Sequence, residues 1–282
     1  MPVWKLTLAY DGTPYHGWQV QPGLPTIQGT LAEAIHRITR ERVLPQGSGR
    51  TDTGVHALAQ VASVELQAPI PASNFHRALN RCLPSSVRIL SAERAPDDFH
   101  ARHSARAKTY EYKIFPLHEP PYTPPPYGAS ANTTERICPP MLAPFVWPCP
   151  WALDLCELNR AAAHIVGAHD FTSFAASDPA GTNPVLTPVR TIWHSCWKAE
   201  GELLVYRVRG SGFLHHMVRN LVGTFVLAGS GRLDPAALPA LLAARSRSVT
   251  GPTAPASGLF LAEVEYDRES STQPQSTPQD LA

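Results

Sequence analysis

The sequence contains few cysteines, and they are not spaced as a disulfide framework or a zinc ribbon would require. There are five in 282 residues, an odd number without a C-x-x-C pair, namely Cys82, Cys138, Cys149, Cys156 and Cys196. Disulfide-stapled secreted domains and zinc ribbons carry paired, closely spaced cysteines. We therefore expect a protein of a reducing compartment, the cytoplasm.

Long apolar runs are also missing. Lys5 and Asp11 interrupt the first residues, where a secretory signal needs an unbroken apolar stretch. The longest apolar run in the later part of the chain, residues 221–229, is much shorter than the about 20 residues of a membrane-spanning helix. We expect neither a signal peptide nor a membrane span.

No strong excess of one charge is present, since 24 Lys and Arg face 23 Asp and Glu. Five of the acidic residues lie within residues 263–282, so residues 1–262 carry a net charge of +5. Of the 24 basic residues 20 are arginines, whose planar guanidinium suits phosphate and stacks on bases. The charge is compatible with a nucleic-acid partner but does not by itself indicate one.

Hydrophobic periodicity predicts an α+β fold. Alternation over residues 4–10 predicts a strand, and the spacing of Ile27, Leu31, Ile35 and Ile38 predicts a helix. Similar patterns predict strands at 60–66, 87–95, 106–115, 191–198, 202–209 and 258–266, and helices at 71–83, 154–166, 214–228 and 235–245. Hairpins between successive strands favour antiparallel pairing.

Proline is abundant and locally concentrated, with 11 of the 29 prolines in residues 116–150. Because proline breaks helices and lacks a ladder donor, we interpret this segment as an insertion or linker. It separates an N-terminal half, residues 1–115, from a C-terminal half, residues 151–267. Residues 268–282 are rich in Ser, Thr, Gln and Pro, and we expect them to be disordered.

The loop at residues 47–57, Gly-Ser-Gly-Arg-Thr-Asp-Thr-Gly-Val-His-Ala, is the segment most suggestive of chemistry. Its glycines allow close backbone approach, and Arg50 and Asp52 place opposite charges two residues apart. A neighbouring guanidinium favours the ionised carboxylate that a nucleophile or general base requires. A local ion pair or turn cap would use the same residues, so spacing alone leaves both readings open.

Residues 49–57 resemble the active-site signature Gly-Arg-Thr-Asp-x-Gly-Val-His-Ala of the tRNA pseudouridine synthase A family. Further segments resemble those of the family in the same order: residues 10–19, 97–112, 167–174, 212–220 and 258–264. Together they extend over most of residues 3–266. The long Pro-rich segment and the acidic tail depart from the family pattern but leave these motifs intact.

The resemblance implies an enzyme that converts uridine to pseudouridine at positions 38, 39 and 40 of the tRNA anticodon arm. Members of the family use neither metal nor organic cofactor and are usually homodimers. The implied fold has two ferredoxin-like (RRM-like) halves whose strands form one continuous, mainly antiparallel sheet with flanking helices. The implied site comprises Asp52 as nucleophile, Arg50 as its ion-pair partner, Tyr110 against the target base, and Arg219 from the second half.

Several basic residues precede or share the strand of Tyr110. We predict that Arg102, Arg106 and Lys108 contact tRNA phosphates, although a charged strand edge that discourages aggregation would look the same. We exclude His215 and His216 as a metal site, because adjacent helical residues diverge by about 100°. His56 and His169 are expected to form structural hydrogen bonds.

Two other functions are considered. A non-catalytic RNA-binding module would share the fold, but it would gain little from Asp52 facing a polyanion. An Asp-dependent glycosidase needs a second carboxylate, which the loop at residues 47–57 lacks. For the Pro-rich segment, we expect a Gly-Ser linker in place of residues 119–148 to preserve fold and catalysis; alternatively, Tyr122, Tyr127 or Trp147 guides the RNA.

Overall fold

A single sheet forms the centre of the protein in the computed structural model, which describes residues 2–118, 136–176 and 187–267. Its strands are β1 Val3–Tyr10, β2 Gln46–Gly47, β3 His56–Glu65, β4 Val87–Ala95, β5 Ala105–Pro116, β6 Trp147–Cys149, β7 Gly167–Asp170, β8 Val189–Glu200, β9 Leu203–Gly210 and β10 Leu259–Tyr266. The predicted disordered tail, residues 268–282, and the side chains of Tyr122 and Tyr127 lie outside the described residues.

The strands follow the order β4-β1-β3-β10-β5-β9-β8-β7, with β2 beside β3 and β6 beside β5. All pairs are antiparallel except β3 with β10 and β5 with β6. The predicted α+β class and the continuous, mainly antiparallel sheet are therefore confirmed. The ferredoxin-like character of each half stays a prediction.

Five α-helices accompany the sheet among the described residues: α1 Ile27–Thr39, α2 Ala72–Cys82, α3 Leu155–Ala163, α4 Met217–Gly229 and α5 Leu238–Ala243. Thr26 begins α1 by accepting the Gly29 N–H, and Asp154 begins α3 by accepting the N–H groups of Cys156 and Glu157. Helix α4 has 11 buried residues of 13, which confirms a largely buried helix. It begins at Met217 rather than at residue 214 as expected.

The core lies between the sheet and the helices. Apolar side chains alternate along β1, and Trp4 packs its ring edge-on against Phe75 of α2, with 4.8 Å between the ring centroids. In the second half, Tyr206 of β9 meets Phe225 of α4 at 5.4 Å. Burying each such side chain stabilises the fold by about 1.5–3 kcal/mol. No helix among the described residues has the length and apolarity needed to cross a membrane.

The last strand determines how the two halves meet. Strand β10 lies between β3 and β5, and its parallel pairing matches Phe260 with His56 and Leu261 with Ala57. On the other side, Leu261 pairs with Tyr110. Directly paired residues share a sheet face, so this register brings the end of the 47–57 loop, Tyr110 and the segment before β10 into one region.

The end of the Pro-rich segment is part of this sheet. Residues 147–149 form β6, in which Trp147 pairs with Ile114 of β5, and Cys149 is fully buried. The carbonyl oxygen of Pro144 lies 3.1 Å from Nε2 of His56. The expectation that a linker in place of residues 119–148 preserves fold and catalysis stays a prediction, and the contacts of residues 144–148 are what its removal would cost. Proline interrupts regular structure, but it does not prevent packing or edge pairing.

Gly223 allows the buried helix α4 to touch the segment before β10. A Cβ at this position would lie 1.7 Å from the carbonyl oxygen of Pro252. We expect Gly223→Ala to lower the free energy of unfolding by about 2–3 kcal/mol, because two backbone segments must separate. Urea denaturation would measure the loss.

A control for Gly223→Ala measures the difference in helix propensity between alanine and glycine at an exposed position. Ala240 lies exposed in α5, and Ala240→Gly should cost at most about 1 kcal/mol through helix propensity alone. A Gly223→Ala protein more stable than the wild type would show that the two segments are not in close contact.

Candidate active site

The loop at residues 47–57 is held in place by the segment that follows β1. The main-chain N–H of Trp18 donates to the carbonyl of Thr51 at 2.9 Å, and the hydroxyl of Tyr10, the last residue of β1, lies 2.8 Å from Oγ1 of Thr51. Gly17 has φ +82°, and a Cβ there would lie 2.6 Å from the Thr51 carbonyl oxygen. Only glycine fits this position, so the two loops form one packed unit.

A buried polar network supports the loop from below. Ser48 donates its hydroxyl to Oε1 of Gln60 at 2.6 Å, and Nε2 of Gln60 donates to the Gly49 carbonyl at 2.9 Å. From β5, Nζ of Lys108 donates to the Ser48 carbonyl at 2.7 Å. Burial, and then the charges of Arg102 and Arg190, lower the pKa of Lys108 to about 8. Lys108 thus supports the loop directly.

Asp52 is surrounded by basic side chains from residues 215–219. Its Oδ2 lies 3.2 Å from a terminal nitrogen of Arg219 and 3.3 Å from Nε2 of His216, and its Oδ1 lies 3.4 Å from Nε2 of His215. The N-terminus of α4, which begins one residue after His216, adds a positive dipole. Arg219 and the helix N-terminus thus place positive charge beside the carboxylate oxygens of Asp52.

Arg219 is the fixed cation of the site. Its Nε donates to the Ala254 carbonyl at 2.8 Å, and Ala254 donates its own N–H to the Arg219 carbonyl at 3.1 Å. Only 16% of the Arg219 side chain is exposed. Burial lowers the pKa of His216 more than the charge of Asp52 raises it, so Arg219 provides the permanent charge beside Asp52.

Arg50 does not form the ion pair that the sequence suggested. It is exposed, and within the described part of the chain no carboxylate lies within 4.0 Å of its guanidinium. The structure pairs Asp52 with Arg219, 167 residues away. The short sequence separation suggested Arg50 as the partner of Asp52, but in the folded protein the partner is Arg219. The role of Arg50 in catalysis stays a prediction.

Tyr110 lies in the site as expected. Its side chain is 8% exposed, and Phe213 packs edge-on against its ring with 5.0 Å between the centroids. Burial raises the pKa of the Tyr110 hydroxyl, and the charges of Tyr10 and Asp52 raise it further. Tyr110 is therefore protonated at neutral pH and can donate a hydrogen bond. Its neighbour Tyr112 is fully buried, which confirms its expected place in the core.

His56 links three segments around the loop. Its Nδ1 accepts the Gly12 N–H at 3.1 Å, which leaves Nε2 to donate to the Pro144 carbonyl at 3.1 Å. Burial lowers its pKa despite the opposing effect of Asp11, consistent with a neutral ring. The expected structural role of His56 is confirmed, and the same holds for His169, which contacts the Val166 carbonyl at 3.0 Å.

The remaining predicted basic residues differ in their surroundings. Arg106 pairs with Asp267 at 2.6 Å, and both side chains are 70% exposed, so the structure does not bring Arg106 to Asp52. Arg102 is exposed and, among the described residues, has no carboxylate within 4.0 Å. Arg190, which the sequence did not single out, adds its charge to that of Arg102 beside Lys108.

The reason for excluding His215 and His216 as a metal site was wrong. The rejection assumed that both lie on a helix, whereas both precede Met217, the first residue of α4. His216 has φ +58°, a left-handed conformation that turns the chain just before the helix. The two ring centroids are consequently 4.0 Å apart, and both rings face Asp52.

Comparison with known proteins agrees with the site. A family model described as tRNA pseudouridine synthase matches residues 7–104 and 161–267, which contain Asp52 and Arg219 respectively. This chain belongs to that family.

Curated relatives match nearly the whole chain. It is 47% identical over 263 residues to tRNA pseudouridine synthase A of Solibacter usitatus, covering 93% of this chain and 98% of the relative. The protein of the same name from Moorella thermoacetica is 42% identical over 268 residues, covering 94% and 100%. That from Bacillus pumilus is 38% identical over 265 residues, covering 93% and 98%.

Two features of the site could be found only partly from sequence. The string Phe-Leu-His-His-Met-Val-Arg at residues 213–219 resembles a family segment, but nothing in the sequence connects its histidines with Asp52. The sequence did not indicate a role for Arg190, because it belongs to no motif. Lys108, on which its charge acts, lies on another strand. In both cases the contacts that the sequence did not indicate join segments that are far apart in the chain.

Proposed function

We propose that this protein isomerises uridine to pseudouridine at positions 38, 39 and 40 in the anticodon arm of tRNA, with Asp52 as the nucleophile. The observation that carries the proposal is the convergence of Arg219 and Tyr110 on this one carboxylate. Membership of the tRNA pseudouridine synthase family supports the same conclusion.

The reaction needs a carboxylate and an enclosed uracil. The bond from C1′ to N1 must break, the uracil must rotate, and a bond from C1′ to C5 must form. C5 then loses its proton and N1 gains one, so that the overall change is an isomerisation. Asp52 can attack C1′, attack C6 of the ring, or remove a ribose proton to give a glycal. In each route Arg219 holds a positive charge 3.2 Å from the carboxylate that reacts.

The target base must leave its stack before Asp52 can reach it. Extruding a nucleotide costs a few kcal/mol, which contacts with aromatic side chains offset. Tyr110 and Phe213 provide such contacts beside Asp52, and the protonated Tyr110 hydroxyl can donate to a uracil carbonyl or to the carboxylate. The pair of aromatic rings would therefore position the base and retain it while it is detached.

A group of basic residues beside the loop is suited to the tRNA backbone. We define the phosphate cluster as Arg102, Lys108 and Arg190, in which the charges of Arg102 and Arg190 both act on Lys108. None of the three has a carboxylate within 4.0 Å among the residues that the structure describes. Lys108 is two residues from Tyr110 on β5 and so on the same sheet face, about 7 Å along the strand.

Neutralising one member of the phosphate cluster should weaken tRNA binding in a salt-dependent way. We expect Arg190→Gln and Lys108→Met each to reduce the slope of log affinity against log salt concentration by about one. Lys108→Met should also slow catalysis, because the loop loses its bond to the Ser48 carbonyl. Filter binding at several salt concentrations would measure the slopes.

Lys113→Met is the matched control for Lys108→Met. Lys113 lies on the opposite face of β5, 4.4 Å from the centroid of the Phe260 ring and 3.9 Å from Glu111. Its replacement should leave the slope unchanged. An unchanged slope in both cluster variants would show that the tRNA backbone does not contact this cluster.

We further propose that the enzyme acts in the cytoplasm as a homodimer. All five cysteines are free, as a reducing compartment would leave them. The homodimer follows from the resemblance to the family. Sedimentation equilibrium of the full chain would determine the oligomeric state, and a monomer at micromolar concentration would contradict the proposal.

The decisive experiment is to incubate the pure protein with unmodified tRNA transcripts and to map pseudouridine at each nucleotide. We expect modification at positions 38, 39 and 40 when these are uridines. Tight binding without modification would instead support the non-catalytic RNA-binding module. Modification confined to other positions would contradict the proposed specificity but retain the enzymatic class.

A further inference from the structure

Three potential metal ligands, Asp52, His215 and His216, lie close together at the candidate active site. One carboxylate oxygen of Asp52 and one nitrogen each of His215 and His216 all lie within 4.8 Å of one another. The distances from Asp52 are 3.4 Å to Nε2 of His215 and 3.3 Å to Nε2 of His216. The 63% exposure of the His215 side chain leaves the group open to solvent.

The two distances, which run to different oxygens of Asp52, are close to the edge length of a zinc tetrahedron. Zinc binds imidazole nitrogen at about 2.0–2.1 Å and carboxylate oxygen at about 2.0–2.2 Å, so two ligands of a tetrahedral ion are about 3.4 Å apart. The left-handed turn at His216 places both imidazoles on the same side of Asp52 before α4 begins. Three protein ligands with a fourth position facing water are typical of open zinc sites.

The neighbouring charges determine which cations the group can hold. Arg219, 3.2 Å from Asp52, and the N-terminus of α4 both repel cations. Mg²⁺, which prefers carboxylate and water oxygens, would therefore gain little from a single shared carboxylate. Zn²⁺ and Co²⁺ accept imidazole nitrogen and gain two such bonds here.

We propose that Asp52, His215 and His216 form an inhibitory site for Zn²⁺ and similar imidazole-binding divalent cations. The bound ion would occupy the carboxylate oxygens and the space that the target ribose and uracil need. Binding of the metal depends only on the three ligands, whereas the inhibition also rests on the proposed pseudouridine synthase function. The ion is an inhibitor here and takes no part in the reaction.

Binding is tested first, without RNA, on the full-length protein stripped with EDTA and kept reduced. Titration calorimetry with zinc chloride should show one site per chain that His215→Ala or His216→Ala weakens by about tenfold or more. Magnesium chloride should neither bind there nor compete. Circular dichroism of each variant would establish that it is folded.

His194→Ala is the matched control, because His194 lies 3.0 Å from Sγ of Cys196 on the exposed surface of β8 and offers an alternative zinc ligand pair. This variant should bind zinc at Asp52 as the wild type does. Retention of the same zinc affinity in the His215→Ala and His216→Ala proteins, or absence of stoichiometric binding in the wild type, would overturn the proposal.

Inhibition is tested separately with prefolded tRNA transcript in excess enzyme. Zinc chloride should lower the single-turnover rate in proportion to site occupancy, EDTA should restore it, and EDTA alone should leave the rate unchanged. Full activity with the site saturated would overturn the inhibitory role. Should no pseudouridine form under any condition, the proposed function would fail while the calorimetry still decided the metal site.

Discussion

Replacement of Asp52 by asparagine should lower the rate of pseudouridine formation by at least about a thousandfold while changing tRNA affinity only a few-fold. The amide retains the shape of the carboxylate but lacks its charge and its nucleophilic oxygen. The basic groups around Asp52, including Arg219 and the start of α4, would then face an uncharged side chain. Single-turnover rates and filter binding on the same tRNA transcript would separate the two effects.

Asp98→Asn is a suitable control, because it makes the same chemical change at an exposed aspartate. It should retain the wild-type rate. The Asp52→Asn protein should be prepared from a host without an endogenous enzyme of this family, so that contamination cannot produce turnover. A rate within tenfold of the wild type would rule out Asp52 as the nucleophile.

Replacement of Arg219 by lysine should slow the chemical step by about a hundredfold or more and leave the dissociation constant nearly unchanged. The guanidinium donates simultaneously to the Ala254 carbonyl through Nε and to Asp52 through a terminal nitrogen. A lysine has a single ammonium group and cannot span both acceptors in this geometry. The carboxylate would lose either its cation or the correct orientation of that cation.

Arg247→Lys provides the comparison for stability. Arg247 is also half-buried and donates to Oδ1 of Asn220 and Oγ1 of Thr253, but it makes no contact with Asp52. The Arg247→Lys substitution should lower the free energy of unfolding about as much as Arg219→Lys does. It should not slow the single-turnover rate. A change in the dissociation constant alone for Arg219→Lys would instead identify Arg219 as a phosphate contact.

Each predicted strand and helix corresponds to an element of the structure, although several bounds differ by up to four residues. The strand predicted from alternation over residues 4–10 corresponds to β1, and the strand predicted at residues 87–95 corresponds to β4 with the same bounds. Strand β7 was missed because its four residues are too short for a pattern. The start of α4 was misplaced because the left-handed turn at His216 leaves no trace in the apolar periodicity.

Motif order alone identified the family and the loop that carries Asp52, because the loop must keep its glycines and its carboxylate for steric and chemical reasons that are local. Residues close to Asp52 in sequence do not determine which cation pairs with it. Arg50 is two residues away and does not pair with Asp52, whereas Arg219 is 167 residues away and is fixed by the Ala254 carbonyl.

Local interactions thus determined the elements, the fold class and the position of Asp52, since periodicity and backbone conformation depend on neighbours in sequence. The tertiary structure alone decided that Arg219 rather than Arg50 pairs with Asp52, that His215 and His216 face it, and that residues 144–149 belong to the fold. The insertion of β10 between β3 and β5 joins the two halves on which Asp52 and Arg219 lie. No local pattern encodes that pairing, because its hydrogen bonds join segments that become neighbours only when both halves pack.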